Sequence, residues 1–220
     1  MEKIAHIRNI LSSRAVADYR SPKAVFSQIK IGDLIPKSDY AAYSYDAISE
    51  PLIKSFCPRI KSILSLRDQI LFIYFMINRT VKEPVLDHTL NYLFVKHGVN
   101  NEQNICVLPL WRIFLGQNME VPQGKDLEKS LIFQLALQIQ GIHSYLILGK
   151  SNQSQFEDLS YAFNVVELSE QLYLVDLAKP STTSLPYVVR ILDLVSDHLT
   201  LSNVFHLNPV EHDASRVYSL

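Results

Sequence analysis

Three kinds of side chain in this sequence could carry out chemistry: two thiols, a few histidines, and carboxylates at the ends of apolar segments. The thiols are Cys57, which precedes Pro58, and Cys106, which lies in an apolar stretch near Trp111. A thiol becomes a nucleophile when it is ionised, which a helix N-terminus or a neighbouring histidine favours. Neither cysteine has such a context in the sequence. We therefore interpret Cys106 as a buried, unreactive side chain.

The carboxylates Asp126 and Asp176 occupy more informative positions. Asp126 starts a long segment of helical periodicity, and Asp176 closes an apolar run rich in Leu and Val. Asp126, Glu128 and Asp176 could hold a cation if they converged, but carboxylates on separate elements without a loop motif are a weak metal signal. Ion pairs with Lys125 or Lys129 explain these carboxylates more simply. The sequence thus predicts no metal and no cofactor.

Hydrophobic periodicity predicts the elements that must position these residues. Helical spacing predicts three helices, at about residues 60–78, 85–97 and 126–140. Gly141 follows the last one at the position of a helix C-cap. The pattern then changes to that of β-strands, at residues 142–148, 161–168 and 171–177. Because Ser169 and Glu170 form a short connection between the last two strands, we expect an antiparallel hairpin.

The remaining segments are less regular. Ile4, Ile7 and Leu11 could mark a short helix, and several prolines and glycines interrupt the chain up to residue 57. A group of tyrosines within it could form a docking surface, although covering a core is the favoured interpretation: Tyr40, Tyr43 and Tyr45. We expect mixed helix and loop over residues 100–123. Two further apolar runs extend the sheet or add a helix, at residues 187–195 and 199–207.

The order of these motifs resembles the transglutaminase-like superfamily of thiol enzymes. Its core has a Gly-x-Cys turn opening a helix, a Gly-Ile before a strand, a His-Ala-Trp-Asn strand, and an Asp closing the next strand. The matching stretches here begin with Gly124-Lys125-Asp126 and Gly141-Ile142, and end with Tyr161-Ala162-Phe163-Asn164 and Tyr173-Leu174-Val175-Asp176. The resemblance spans about residues 62 to 178. It implies an α/β (α+β) fold of the papain-like type, with helices packed on an antiparallel sheet, and two regions, an N-terminal extension (1–57) and the domain itself (58–220).

The departures from this pattern bear on activity. The nucleophile position of the superfamily falls on Asp126 and the histidine position falls on Tyr161, so only Asp176 matches the triad. A carboxylate at a helix N-terminus is stabilised as an anion. A tyrosine, with an ordinary pKa near ~10, does not exchange protons near neutrality as a histidine does at ~6.5. The resemblance therefore implies a non-catalytic domain with no catalytic residues.

We expect such a domain to act as a protein-interaction or scaffolding module within a larger assembly. Its partners would be proteins or peptides, bound through the remnant cleft or through the C-terminal tail. The alternative is an active thiol hydrolase or acyltransferase in which Cys106 or Cys57 replaces the missing nucleophile, with His143 or His97 as base. A secreted effector, or a small subunit of a complex, is a third possibility.

Composition excludes several other classes. The 220 residues are 48% hydrophobic and 20% charged, and the formal net charge is −1, so the field that general nucleic-acid binding requires is missing. Two cysteines are too few for a secreted disulfide framework. The longest apolar run, residues 70–77, is far shorter than the ~20 residues of a membrane-spanning helix. From these features we expect a soluble, intracellular and cytoplasmic protein without nucleic-acid or membrane partners.

Overall fold

The computed structural model describes residues 24–38, 40–56, 65–82, 88–115, 123–150, 160–177 and 187–190, which form an α+β arrangement of helices and two β-sheets. The helices are α1 (Ser49–Phe56), α2 (Leu66–Thr80), α3 (His88–His97), α4 (Trp111–Leu115) and α5 (Asp126–Ile139). The strands are β1 (Ala24–Phe26), β2 (Leu34–Ser38), β3 (Ala41–Ser44), β4 (Val99–Asn100), β5 (Cys106–Pro109), β6 (Ser144–Lys150), β7 (Ser160–Leu168), β8 (Gln171–Asp176) and β9 (Tyr187–Arg190). The predicted α+β class is confirmed.

The larger sheet is antiparallel, with strand order β1-β6-β7-β8-β9. The predicted hairpin joins β7 to β8, where Leu168 pairs with Gln171. Its two central residues, Ser169 and Glu170, have φ angles of 49° and 64°. Positive φ at both positions matches the right-handed twist of the strands that the turn connects. The three predicted strands after α5 are therefore present, with ends shifted by one or two residues.

The smaller sheet was not predicted. Its strand order is β2-β3-β5-β4, and β3 runs parallel to β5 while the other pairs are antiparallel. The expectation of mixed helix and loop over residues 100–123 was wrong for Cys106–Pro109, which form β5, and right for the short helix α4. A four-residue strand whose partner lies some 65 residues away leaves no periodic signal, because its stability comes from non-local pairing.

The N-terminal region contributes to both sheets. Strand β1 pairs with β6 in the larger sheet, and β2 and β3 make half of the smaller one. Within this region Tyr43 and Tyr45 are buried in the core, whereas Tyr40 is 73% exposed. Covering a core is thus the role of two of the three tyrosines. A division of the chain at residue 57 stays a prediction.

Helix α5 is the centre of the core. Every residue from Leu127 to Leu137 is buried, so the helix is enclosed on all sides and the prediction of a single apolar stripe was too narrow. It packs against α2 and α1 as well as against β6 and β7. Gly141 follows it with a φ of 72°, the left-handed conformation that glycine adopts after a helix.

Helix α3 agrees with the sequence prediction where the structure describes it, whereas α2 begins at Leu66, later than the start near residue 60 that periodicity predicted. Ser65 caps α2, its Oγ accepting a hydrogen bond from Asp68 N at 3.2 Å, and the helix continues two residues beyond the predicted end at Asn78. The predicted helix near residues 4–11, Cys57, the run at 199–207 and the C-terminal tail lie outside the described residues. In the described part of the chain, the helices are all too short or too polar to cross a lipid bilayer.

Candidate functional site

The N-terminal end of α5 brings together the carboxylates that the sequence singled out. Lys125 is the N-cap residue in an extended conformation, and Asp126 and Glu128 both lie in the first helical turn. Two acidic side chains in this turn interact favourably with the helix dipole and with its free N–H groups. Gly124 precedes this turn, and a larger residue there would clash, since its Cβ atom would lie 2.6 Å from Glu128 Cβ.

Glu128 is a fully buried carboxylate with a complete set of partners. Its Oε1 accepts hydrogen bonds from Lys37 Nζ, at 2.9 Å, and from Tyr43 Oη, and its Oε2 accepts from Lys125 N at 2.9 Å. The last contact is half of a capping box. The expected ion pair of this cluster therefore forms with Lys37 on β2, which lies 91 residues away in the sequence.

The charges around Glu128 hold it ionised in spite of its burial. Burial opposes ionisation, but the charge of Lys37 and the hydrogen bonds from Tyr43, Lys37 and Lys125 hold the pKa of Glu128 below its ordinary value. Burial, followed by the neighbouring Glu128 charge, raises the pKa of Tyr43 well above 10. Tyr43 thus remains the proton donor of this pair, and the cluster has no proton to exchange near neutrality.

The surroundings of Asp126, in contrast, oppose its ionisation. Burial raises its pKa, and the negative charge of Asp176 raises it further, while Lys129 and a backbone hydrogen bond act in the other direction. Asp176 is 2% exposed at the end of β8, and its backbone oxygen accepts a hydrogen bond from Tyr74 Oη at 3.3 Å. The fold therefore brings two of the three predicted site residues, Asp126 and Asp176, into the same electrostatic environment. A carboxylate with a raised pKa can donate or accept a proton, but it is a poor nucleophile for acyl groups.

Tyr161, the third residue of the pattern, is the second residue of β7. Its backbone pairs with Gly149 on β6, and the structure describes no more of it than this backbone. Its relation to Asp126 stays a prediction.

The thiol alternative involves residues on different sheets. Cys106 lies on β5 and is partly buried, so the expectation of a buried cysteine was wrong in degree. Its Sγ is 3.6 Å from Phe94 O, and a Cβ atom at Gly98 would lie 2.3 Å from the sulfur. His143 lies just before β6 in the larger sheet, with Nδ1 3.1 Å from Glu167 Oε2 and its ring edge-on to Tyr145. His97, the other histidine of the thiol alternative, directly precedes Gly98, the residue that contacts Cys106 Sγ.

Sequence reasoning missed a layer of buried polar side chains between α5 and the larger sheet. Asn164 Nδ2 donates to Ser130 O at 3.2 Å and lies 3.4 Å from Gln134 Oε1, while Gln134 Nε2 donates to Ser144 O at 3.1 Å. In addition, Ser130 Oγ donates to Ala162 O at 3.1 Å. The sequence signal was the presence of Ser130 and Gln134, four residues apart, within an otherwise apolar helix.

Two oxygen atoms of this layer have no hydrogen-bond partner in the described part of the chain, Asn164 Oδ1 and Ser144 Oγ. No group of three or more His, Cys, Asp or Glu side chains among the described residues is arranged to hold a metal ion. The polar layer and the first turn of α5 together form an internal polar region.

Comparisons with known proteins leave the family open. No family model and no curated protein matches the sequence. A crystal structure of a TGase is similar to this chain, with a TM-score of 0.40 and 13% sequence identity, over 61% of this chain and 33% of that one. The chain thus matches about a third of the TGase length, and a similarity this low does not establish a common activity.

Proposed function

We propose that this chain is a non-catalytic domain that works by binding other proteins. The observation that supports the proposal most directly is the first turn of α5, where a thiol enzyme of this motif order would place its nucleophile. That turn holds Asp126, a carboxylate with a raised pKa, and Glu128, whose two oxygens are already engaged. The resemblance of the motifs to the transglutaminase-like superfamily implies that this turn is the nucleophile position.

The environment of Cys106 supports the same proposal. Its Sγ lies at hydrogen-bond distance from a backbone carbonyl, which can accept a hydrogen bond from a thiol but gives no stabilisation to a thiolate. Close packing on Gly98 further limits the approach of a substrate to the sulfur. A cysteine with these contacts is expected to react slowly.

A thiol-labelling experiment tests the proposal. In a Cys57→Ser background, a fluorescent iodoacetamide probe should label Cys106 slowly in the native protein and completely after denaturation in urea. The measurement is the labelling rate as a function of pH, compared with the rate of free cysteine. Cys57→Ser/Cys106→Ser is the control for labelling at other residues.

Rapid native labelling that persists well below pH 8 would contradict a non-catalytic domain. The same holds if His97→Ala, but not His143→Ala, abolished that labelling, since a histidine would then be activating the thiol.

A further inference from the structure

We draw no further inference here: the strongest candidate, the pair of acidic side chains formed by Asp126 at the start of α5 and Asp176 at the end of β8, carries nothing further because it rests on a shifted pKa at a helix N-terminus, and nothing else in the described part of the chain points to a ligand for it.

Discussion

Asp126 and Glu128 lie two residues apart in the same helical turn, yet the protein treats their charges in opposite ways. Burial disfavours the ionised form of both carboxylates. Around Glu128, Lys37 and three hydrogen bonds more than compensate for this effect. Around Asp126, the nearby charge of Asp176 adds to it. The partners of a carboxylate, and not its depth in the protein, therefore decide the direction of its pKa shift.

The two carboxylates also differ in their contribution to the fold. Glu128 joins α5 to β2 and β3, so its charge is part of what holds the helix against the smaller sheet. Ionisation of Asp126 costs free energy in the folded protein. Groups with such shifted pKa values are concentrated at functional sites, where stability alone has not been optimised. The first turn of α5 therefore combines an anchor, Glu128, with Asp126, a carboxylate whose ionisation is opposed.

Removing the Glu128 charge should have the largest effect on stability. Glu128→Gln removes the negative charge that faces the Lys37 ammonium and introduces an amide donor in place of a carboxylate oxygen. We expect a loss of about 3 kcal/mol in the free energy of unfolding, measured by urea denaturation, since breaking a buried ion pair on one side typically costs that much.

Glu50→Gln is the control for that experiment. Glu50 pairs with Lys54 one helical turn away in α1, and both side chains are substantially exposed. This change should cost less than about 0.5 kcal/mol. If Glu128→Gln cost no more than Glu50→Gln, the view of Glu128 as an anchor would be wrong.

A second pair of substitutions extends the contrast to the hydroxyl groups of the polar layer. Ser130→Ala removes a buried hydrogen bond to Ala162 O and should cost about 1 kcal/mol. Ser144→Ala removes a buried hydroxyl for which the described structure shows no partner, so its effect should be close to zero or stabilising. Urea denaturation of the two variants side by side measures the difference. A larger loss for Ser144→Ala would mean that its hydroxyl has a partner, such as a buried water.

A smaller effect than that of Glu128→Gln, and one that also depends on pH, is expected for Asp126→Asn. Because the folded protein holds the Asp126 proton more tightly than the unfolded chain, ionising Asp126 lowers stability as the pH rises from its ordinary pKa of 3.8 through its raised value. Asp126→Asn should therefore be more stable than the wild type at pH 7, because the variant avoids this unfavourable ionisation. The difference should vanish below pH 3.8, where both side chains are neutral.

Glu128 should show the opposite trend. Its pKa is lowered in the folded state, so its contribution is fully present above its ordinary value of 4.5 and is lost as the pH falls through the folded value. The deficit of Glu128→Gln should therefore be largest at neutral pH and shrink in acid. Unfolding curves of the wild type and both variants between pH 3 and pH 7 measure the two trends. Parallel trends would refute the contrast between the two carboxylates.

The predicted fold was correct where a segment contained its own signal. The turn at Ser169 and Glu170, the end of α5 before Gly141, and the strands on both sides of the turn depend on local backbone preferences and periodicity. The smaller sheet was missed because β4 and β5 have two and four residues, and the pairing of β5 with β3 is distant in sequence. Short strands of this kind acquire their conformation from their neighbours.

The candidate site was predictable to a similar extent. The sequence identified Asp126 and Asp176, and the fold placed them in one electrostatic environment. The sequence did not identify Lys37 or Tyr43 as partners of Glu128, since both lie on strands of the smaller sheet, which was not predicted. The role of Tyr161 remains a prediction.

The sequence by itself determined helices α2, α3 and α5, the strands that follow α5, and the residue types at the start of α5. These properties depend on neighbours within a few positions. The tertiary structure alone decided which charges meet, and thereby that Glu128 is held ionised by Lys37 while Asp126 is opposed by Asp176. It also decided that Val95 and Val99 face solvent. The physical reason is that electrostatic energy and burial depend on distances in space, and residues far apart in the chain set those distances.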